Sequence, residues 1–240
     1  MPHDDDRRPA DLPTSGDPWQ VRRAGLLDVN RLARMVAEHR PFIDLDGDGQ
    51  PDEVPHPEQA GSATRMVLSL GGLEHGELWL AERGDAVLAT AFWLPPDTEH
   101  LAADLHRVIA RELDVPPVPD PEPAHAPLRS IVGATADALA LLRTSPSRRV
   151  LVLLSDDRRA AGEQRLDLLA DLLAPVVDEQ GAAGRDVLAV TVDPAQAADL
   201  RALGFDELGR TPLGAASLWV GVRRPGLLVG AGAQAATATV

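Results

Sequence analysis

From Trp19 onward, apolar positions recur at two alternating spacings, one of two residues and one of about 3.6, which mark strands and helices respectively. WQVRRAG reads as a short first strand, and LLDVNRLARMVAEHR as a helix with Val29, Leu32, Met35 and Val36 on one face and Asp28 as its cap. After the polar loop DLDGDGQPDEVPHPEQ comes a second helix, ATRMVLSLGGL, and then two strands about a Gly-Asp turn, GELWLAERGDAVLATAFWLPP. Leu78, Leu80, Val87 and Ala89 supply the apolar faces of this hairpin, while Glu82, Arg83 and Asp85 ring its turn. TEHLAADLHRVIARELD predicts a helix, and VPPVPDPEPAHAP, unable to continue it, a semi-rigid loop. SIVGATADALALLRT predicts another helix leading into VLVLLS, whose unbroken apolar run suits a buried central strand. An amphipathic helix around LLAPVVDEQ, a strand DVLAVT, a Pro-initiated helix PAQAADLRA and a last strand SLWVGVRR complete the order β-α-α-β-β-α-α-β-α-β-α-β. The pattern predicts an α/β domain over residues 19–224. Residues 1–18 are expected to form a disordered polar tail, and 225–240 a tail of small residues.

Composition narrows the partners. A chain of 240 residues with 44% hydrophobic content can bury one sizeable core. No apolar run approaches the roughly 20 residues that span a bilayer, and the acidic, Pro-containing N-terminus has no secretory apolar segment, so the expected location is cytoplasmic. The net charge of -14 disfavours nucleic acid and suits cationic or amine partners. There is no Cys, hence no disulfide, thiol nucleophile or thiolate ligand, and all 23 basic residues are Arg.

The stretch 172–205, LLAPVVDEQGAAGRDVLAVTVDPAQAADLRALGF, resembles the C-terminal half of the GCN5-related N-acetyltransferases (GNAT): a cofactor helix, a strand, and a helix before Leu-Gly-Phe. The resemblance covers about residues 20–224 and includes AFWLPP followed by inserted helices. It implies the acyl-CoA N-acyltransferase fold, an α/β fold with a mixed central sheet flanked by helices, and transfer of an acetyl group from acetyl-CoA to a small-molecule or protein amine. It also implies a cofactor diphosphate at a helix N-terminus after the central strand, on a loop resembling Gln/Arg-x-x-Gly-x-Gly/Ala, where orphan amides and the helix dipole favour an anion. Two registers fit: Arg159-Ala-Ala-Gly162-Glu-Gln164, anchored on the strand, and Gln164-Arg165-Leu-Asp167-Leu-Leu169, anchored on the downstream helix and preferred because it needs no gap. The candidate cofactor residues are therefore Arg159, Gly162, Gln164 and Arg165, with Gln196 at a position where the family often has Asn, although its alanine neighbours also suit a helix surface.

The family's motifs are incomplete here. A carboxylate such as Asp167 at about 4 Å from a phosphate charge costs roughly 1 kcal/mol in water-like surroundings and about 4 kcal/mol at an effective dielectric of 20. Arg158, Arg159 and Arg165 are available to offset this, while the run Asp156-Asp157-Arg158-Arg159 also reads as a solvated loop and helix cap. Leu200 stands where the family's proton-donating Tyr is expected, and the chain has no Tyr. Candidate bases are His75, Glu77, Asp156 and Asp157, with His100 and His106 expected to face solvent; no catalytic residue is assigned. Two functions follow: an N-acetyltransferase of impaired activity, or a catalytically inactive protein of the same fold that binds a small molecule or a protein.

A separate motif, Asp44-Leu-Asp46-Gly-Asp48-Gly-Gln50-Pro-Asp52-Glu53, has the opening of a calcium loop. Its candidate ligands are Asp44, Asp46, Asp48, the Gln50 carbonyl and Asp52. Pro55 occupies the twelfth position, where a bidentate Glu is expected, and a plain acidic turn is the alternative.

Overall fold

Alternate residues of the second strand face opposite layers: Leu78 and Leu80 pack with Val29, Leu32, Ala33, Leu68 and Phe92, while Ala81 packs with Leu168, Leu172, Val176 and Leu200. This two-sided burial defines an α/β sandwich with helices on both faces of one sheet. The protein is described by a computed structural model over residues 18–39, 50, 57–95, 149–213 and 215–225. Among these residues the strands are β1 (Gln20–Arg23), β2 (Glu77–Arg83), β3 (Ala86–Leu94), β4 (Arg149–Asp156), β5 (Val187–Thr191), β6 (Asp206–Leu213) and β7 (Ala216–Arg223). The helices are α1 (Val29–Glu38), α2 (Pro57–Met66), the single-turn α3 (Arg158–Ala161), α4 (Arg165–Ala182) and α5 (Pro194–Ala202). The expected tails (apart from Pro18 and Pro225), the helices expected within 98–114 and 130–144, and Asp44, Asp46, Asp48 and Asp52 lie outside the described residues.

The seven strands form one sheet in the order β1-β2-β3-β4-β5-β7-β6. Every neighbouring pair is antiparallel except β4 and β5, which run parallel. The sheet is therefore mixed, as expected. β6 is a strand that the hydrophobic pattern does not reveal: DELGRTPL carries two acids, an Arg, a Gly and a Pro. It is an edge strand bonded to β7 alone, with a register shift between Glu207 and Gly209. An edge strand needs no apolar face on its open side, and Pro and charge there discourage further pairing. The second expected helix is α2 followed by a wider π-helical stretch, Val67–His75, which ends at Gly76. A Cβ on Gly76 would lie 2.5 Å from the Trp93 carbonyl oxygen and 2.7 Å from the Phe92 ring, so the π stretch meets the sheet at a point that admits no side chain.

Asp28 does not cap α1, contrary to the sequence expectation; its side chain makes no bond to the helix amides. It accepts from the Gly25 amide at 2.9 Å and grips Arg22 with both oxygens, at 2.7 and 2.8 Å. Arg22 Nε also donates to Glu82 at 2.7 Å, and Arg31 Nη2 to Glu82 at 3.1 Å, so two arginines and two carboxylates join β1, α1 and β2. The Arg22 hydrogen bonds hold the Asp28 carboxyl down at about 2, against the opposing effect of burial, and hold Glu82 below its usual value.

Both carboxyl groups titrate lower in the folded than in the unfolded chain. Their contribution is therefore complete above the unfolded carboxylate range near pH 4, and is lost as pH falls toward about 2. Chemical denaturation between pH 6 and 2 is expected to show this loss in the parent protein. Asp28→Asn should flatten the profile by up to about 2 kcal/mol, the half-exposed Arg22 being partly screened. Gly76→Ala should destabilise by about 1–3 kcal/mol, measured by urea unfolding, because a backbone carbonyl cannot move aside as a flexible side chain can.

Candidate functional site

The parallel ladder between β4 and β5 covers three residue pairs, Arg149↔Val187, Val150↔Leu188 and Leu151↔Ala189. β4 then runs on to Asp156 against β3, and β5 to Thr191 against β7, with no further ladder between them. The sheet thus parts into a wedge whose open end lies at the C-terminal ends of both strands. In an open α/β sheet this end is where ligands bind, since neighbouring strands leave backbone groups unpaired and helices begin there.

Three successive residues end β4 in three different ways. Ser155 is buried and donates weakly, at 3.4 Å each, to Met35 Sδ and the His39 carbonyl of α1. Asp156, also buried, receives Arg165 Nε at 2.5 Å and Nη2 at 3.1 Å. Asp157 is the N-cap of α3, its Oδ1 accepting from the Arg159 and Ala160 amides at 3.0 Å each. The same oxygen lies 3.5 Å from His39 Nε2, whose Nδ1 lies 3.0 Å from the Met35 carbonyl. Across the wedge, Arg165 Nη2 also donates to Asp199 of α5 at 2.7 Å, and its hydrogen bonds to the two carboxylates raise the guanidinium pKa despite burial. Gln196 Nε2 donates to the Leu154 carbonyl at 2.7 Å while its Oε1 accepts from Thr191 Oγ1 at 2.8 Å.

The expected cofactor residues do not converge. Arg165 and Gln196 reach the wedge, both engaged with protein groups. Gln196 is buried, so a helix-surface role for it is overturned; Leu154 and Thr191 draw its amide inward. Arg159 of α3 and Gln164 on the turn before α4 are exposed, and Gly162 sits between them at φ +54, a conformation that favours glycine. Asp167 is exposed in the first turn of α4, whereas Leu169 is fully buried beneath the sheet. Leu200, at the expected donor position, is 1% exposed and packed with Phe205 and Trp219 in the core.

His75 and Glu77, expected near the cleft, sit at the opposite end: Glu77 pairs with Trp93, which pairs with Leu151 where β4 and β5 are still joined. Glu77 is held there by Arg149 at 2.7 Å. Of the expected bases, Asp156 and Asp157 are at the open end. His39 and Asp199 were missed because an isolated His at a helix end and an Asp on a polar helix face carry no sequence signal; Thr191 was missed for the same reason. Among the described residues no group of three or more His, Asp or Glu is placed to hold a metal, and of the calcium-loop candidates Gln50 alone is described.

No protein-family model matches the sequence, and no curated protein sequence matches it significantly. Solved structures do match. An N-acetyltransferase from Staphylococcus aureus superposes with a TM-score of 0.53 at 10% identity, covering 85% of this chain and 99% of its own. A polyamine N-acetyltransferase of Drosophila melanogaster that forms N-acetylagmatine gives 0.52 at 15%, covering 86% and 100%. A Corynebacterium glutamicum acetyltransferase related to histone acetyltransferase HPA2 gives 0.51 at 14%, covering 88% and 98%. The fold is that of the GCN5-related N-acetyltransferases. At these identities the likeness speaks for the fold alone.

Acetyl-CoA, which the GNAT fold implies, is not fitted by the residues present. The helix start immediately after β4, the place of a diphosphate in the strand-anchored register, already has a carboxylate on its amides: Asp157. The next helix start, that of α4, has Glu163 and Asp167 exposed beside it, and Arg165, the base in its first turn, is turned into the wedge. An incoming anion would meet an acid at either helix start and would find Arg165 already paired. Both effects oppose binding.

The Arg165 fork is itself a measurable part of the fold. Arg165→Met leaves two desolvated carboxylates facing each other and is expected to cost about 3 kcal/mol or more in urea unfolding. The triple variant Arg165→Met/Asp156→Asn/Asp199→Asn removes all three charges and should recover at least half of that loss. Equal losses in both variants would mean that the loss comes from the missing fork itself and not from carboxylates left unpaired.

Proposed function

We propose that this chain is a non-catalytic binding protein built on the N-acetyltransferase fold, with a small molecule or a protein as its partner, and not a working acetyltransferase. The observation that carries this reading is the Asp157 carboxylate bonded to the Arg159 and Ala160 amides at 3.0 Å, an anion of the chain's own at the helix start where the strand-anchored register puts the donor's diphosphate. Leu200 supports it: a buried aliphatic side chain cannot give a proton to a departing thiolate. The acidic balance of the chain suits a cationic partner, and the amines on which solved relatives of the fold act are of that kind.

Acetyl transfer to an amine is the second reading, favoured by one observation: the β4–β5 ladder stops after three pairs and leaves the wedge in place. On that reading Asp157 would have to leave the α3 amides, and His39, 3.5 Å from it, is the nearest group able to move a proton.

Calorimetry with acetyl-CoA and a thiol-release assay over a panel of polyamines and arylalkylamines separate the two. The binding-protein reading expects no acetyl-CoA heat at millimolar ligand and no thiol release above buffer. Saturable, acetyl-CoA-dependent acetylation of any amine in the panel would sink it.

A further inference from the structure

Arg83, the last residue of β2, is 9% exposed and is the one buried arginine among the described residues. Its Nε is shut off from solvent and has no hydrogen-bond acceptor, and among the described residues no carboxylate lies within ion-pair distance of the guanidinium. The charge rests against a ring instead. The guanidinium carbon lies 5.9 Å from the centroid of Trp19, whose Nε1 donates to Asp171 of α4 at 2.9 Å. The chain treats its other enclosed guanidinium groups differently: Arg165 lies between Asp156 and Asp199, and Arg149 meets Glu77 at 2.7 Å. Arginine is seldom buried without a counter-ion, because the lost hydration of the cation is returned in full only by a charged acceptor. An enclosed donor with no acceptor calls for a group from outside the fold.

We propose that Arg83 and Trp19 form the floor and wall of a site for a single carboxylate group. The site lies apart from the wedge, since Trp19 packs on the α4 face and β3 stands between β2 and β4, and it does not depend on either reading of the wedge. With Nε sealed, an acceptor can meet only the two Nη groups, whose parallel N–H bonds match the two oxygens of one carboxylate. The net charge of -14 favours a monoanionic group over a dianion such as phosphate, because each added negative charge is repelled by the same field. Trp19 sets the place of the guanidinium and Asp171 that of the ring, so the fork is held before a ligand arrives. Two sources can supply the carboxylate. One is a free carboxylate compound; the other is the sequence just before Trp19, which carries Asp4, Asp5, Asp6, Asp11 and Asp17.

The test follows the Trp19 indole N–H by NMR while sodium acetate replaces chloride at constant ionic strength. Trp19→Phe assigns the peak, and the peaks of Trp79, Trp93 and Trp219 serve as controls. The first sample is a full-length quintuple variant, Asp4→Asn, Asp5→Asn, Asp6→Asn, Asp11→Asn and Asp17→Asn together, which removes the internal source. Its Trp19 peak is expected to shift saturably with a midpoint on the order of 10–100 mM, the strength of one charge-assisted pair. Adding Arg83→Met should abolish the shift. Arg83→Lys keeps the charge but loses the fork and should raise the midpoint at least about threefold; it carries the comparison alone should Arg83→Met not fold.

The parent then names the source. Equal midpoints in the parent and the quintuple variant support the site with an outside carboxylate as its ligand. A midpoint raised about threefold or more in the parent supports it with the chain's own carboxylates already on Arg83. A quintuple variant whose Trp19 peak shows no saturable shift overturns the site. So does a shift that survives Arg83→Met, or one shared equally by the other three tryptophans.

Discussion

The parting of β4 from β5 constrains everything at the open end of this sheet. A strand bonded on both sides needs nothing else to satisfy its backbone, but β4 beyond Leu151 has β3 on one side and a gap on the other. Buried carbonyls and carboxylates facing such a gap require partners, from a ligand, from solvent or from the chain. Here the chain provides them. Gln196 bonds the Leu154 carbonyl, and the Arg165 fork neutralises Asp156. The position of α5 follows from these bonds as much as from its apolar contacts, since Ala197 and Leu200 are the residues by which it enters the core.

The same end of the sheet shows how little of this fold depends on the residues of the β4–α4 turn. The helices, the crossover and the wedge depend on the two-sided apolar burial of β2, β3 and β4 and on the stripe Leu168, Leu169, Leu172, Leu173, Val176 and Val177 of α4. None of these side chains would need to touch a cofactor to do that. Substitutions in the β4–α4 turn therefore cost the fold little, so long as each new charge finds a partner. Asp157 finds backbone amides and Asp156 finds Arg165, two solutions that leave no described carboxylate at this end buried without a donor. The network of Arg22, Asp28, Glu82 and Arg31 follows the same rule at the other side of the sheet, tying β1 and α1 to the hairpin.

Much of the architecture was legible beforehand because it is written in periodicity. β2 and β3 alternate, β4 is an apolar run, α4 carries a helical stripe and α5 starts at a capped Pro; each signal is local and strong. β6 was not legible, because an edge strand is held by its bonds to β7 and carries no apolar alternation. Nor was the fate of Asp28, which looks like a helix cap until the fold brings Arg22 beside it.

The sequence by itself determined the α/β class, the mixed sheet and the resemblance to the N-acetyltransferases, as well as the absence of a tyrosine where that family's chemistry expects one. It did so because apolar spacing and residue identity are properties of the chain alone. Only the tertiary structure decided that Arg165 points inward to Asp156 and Asp199, and that Glu77 lies at the closed end. These depend on which charges meet across 9, 34 and 72 positions of sequence. Electrostatic partners are chosen by distance in the folded state, and no local pattern in the chain encodes that distance.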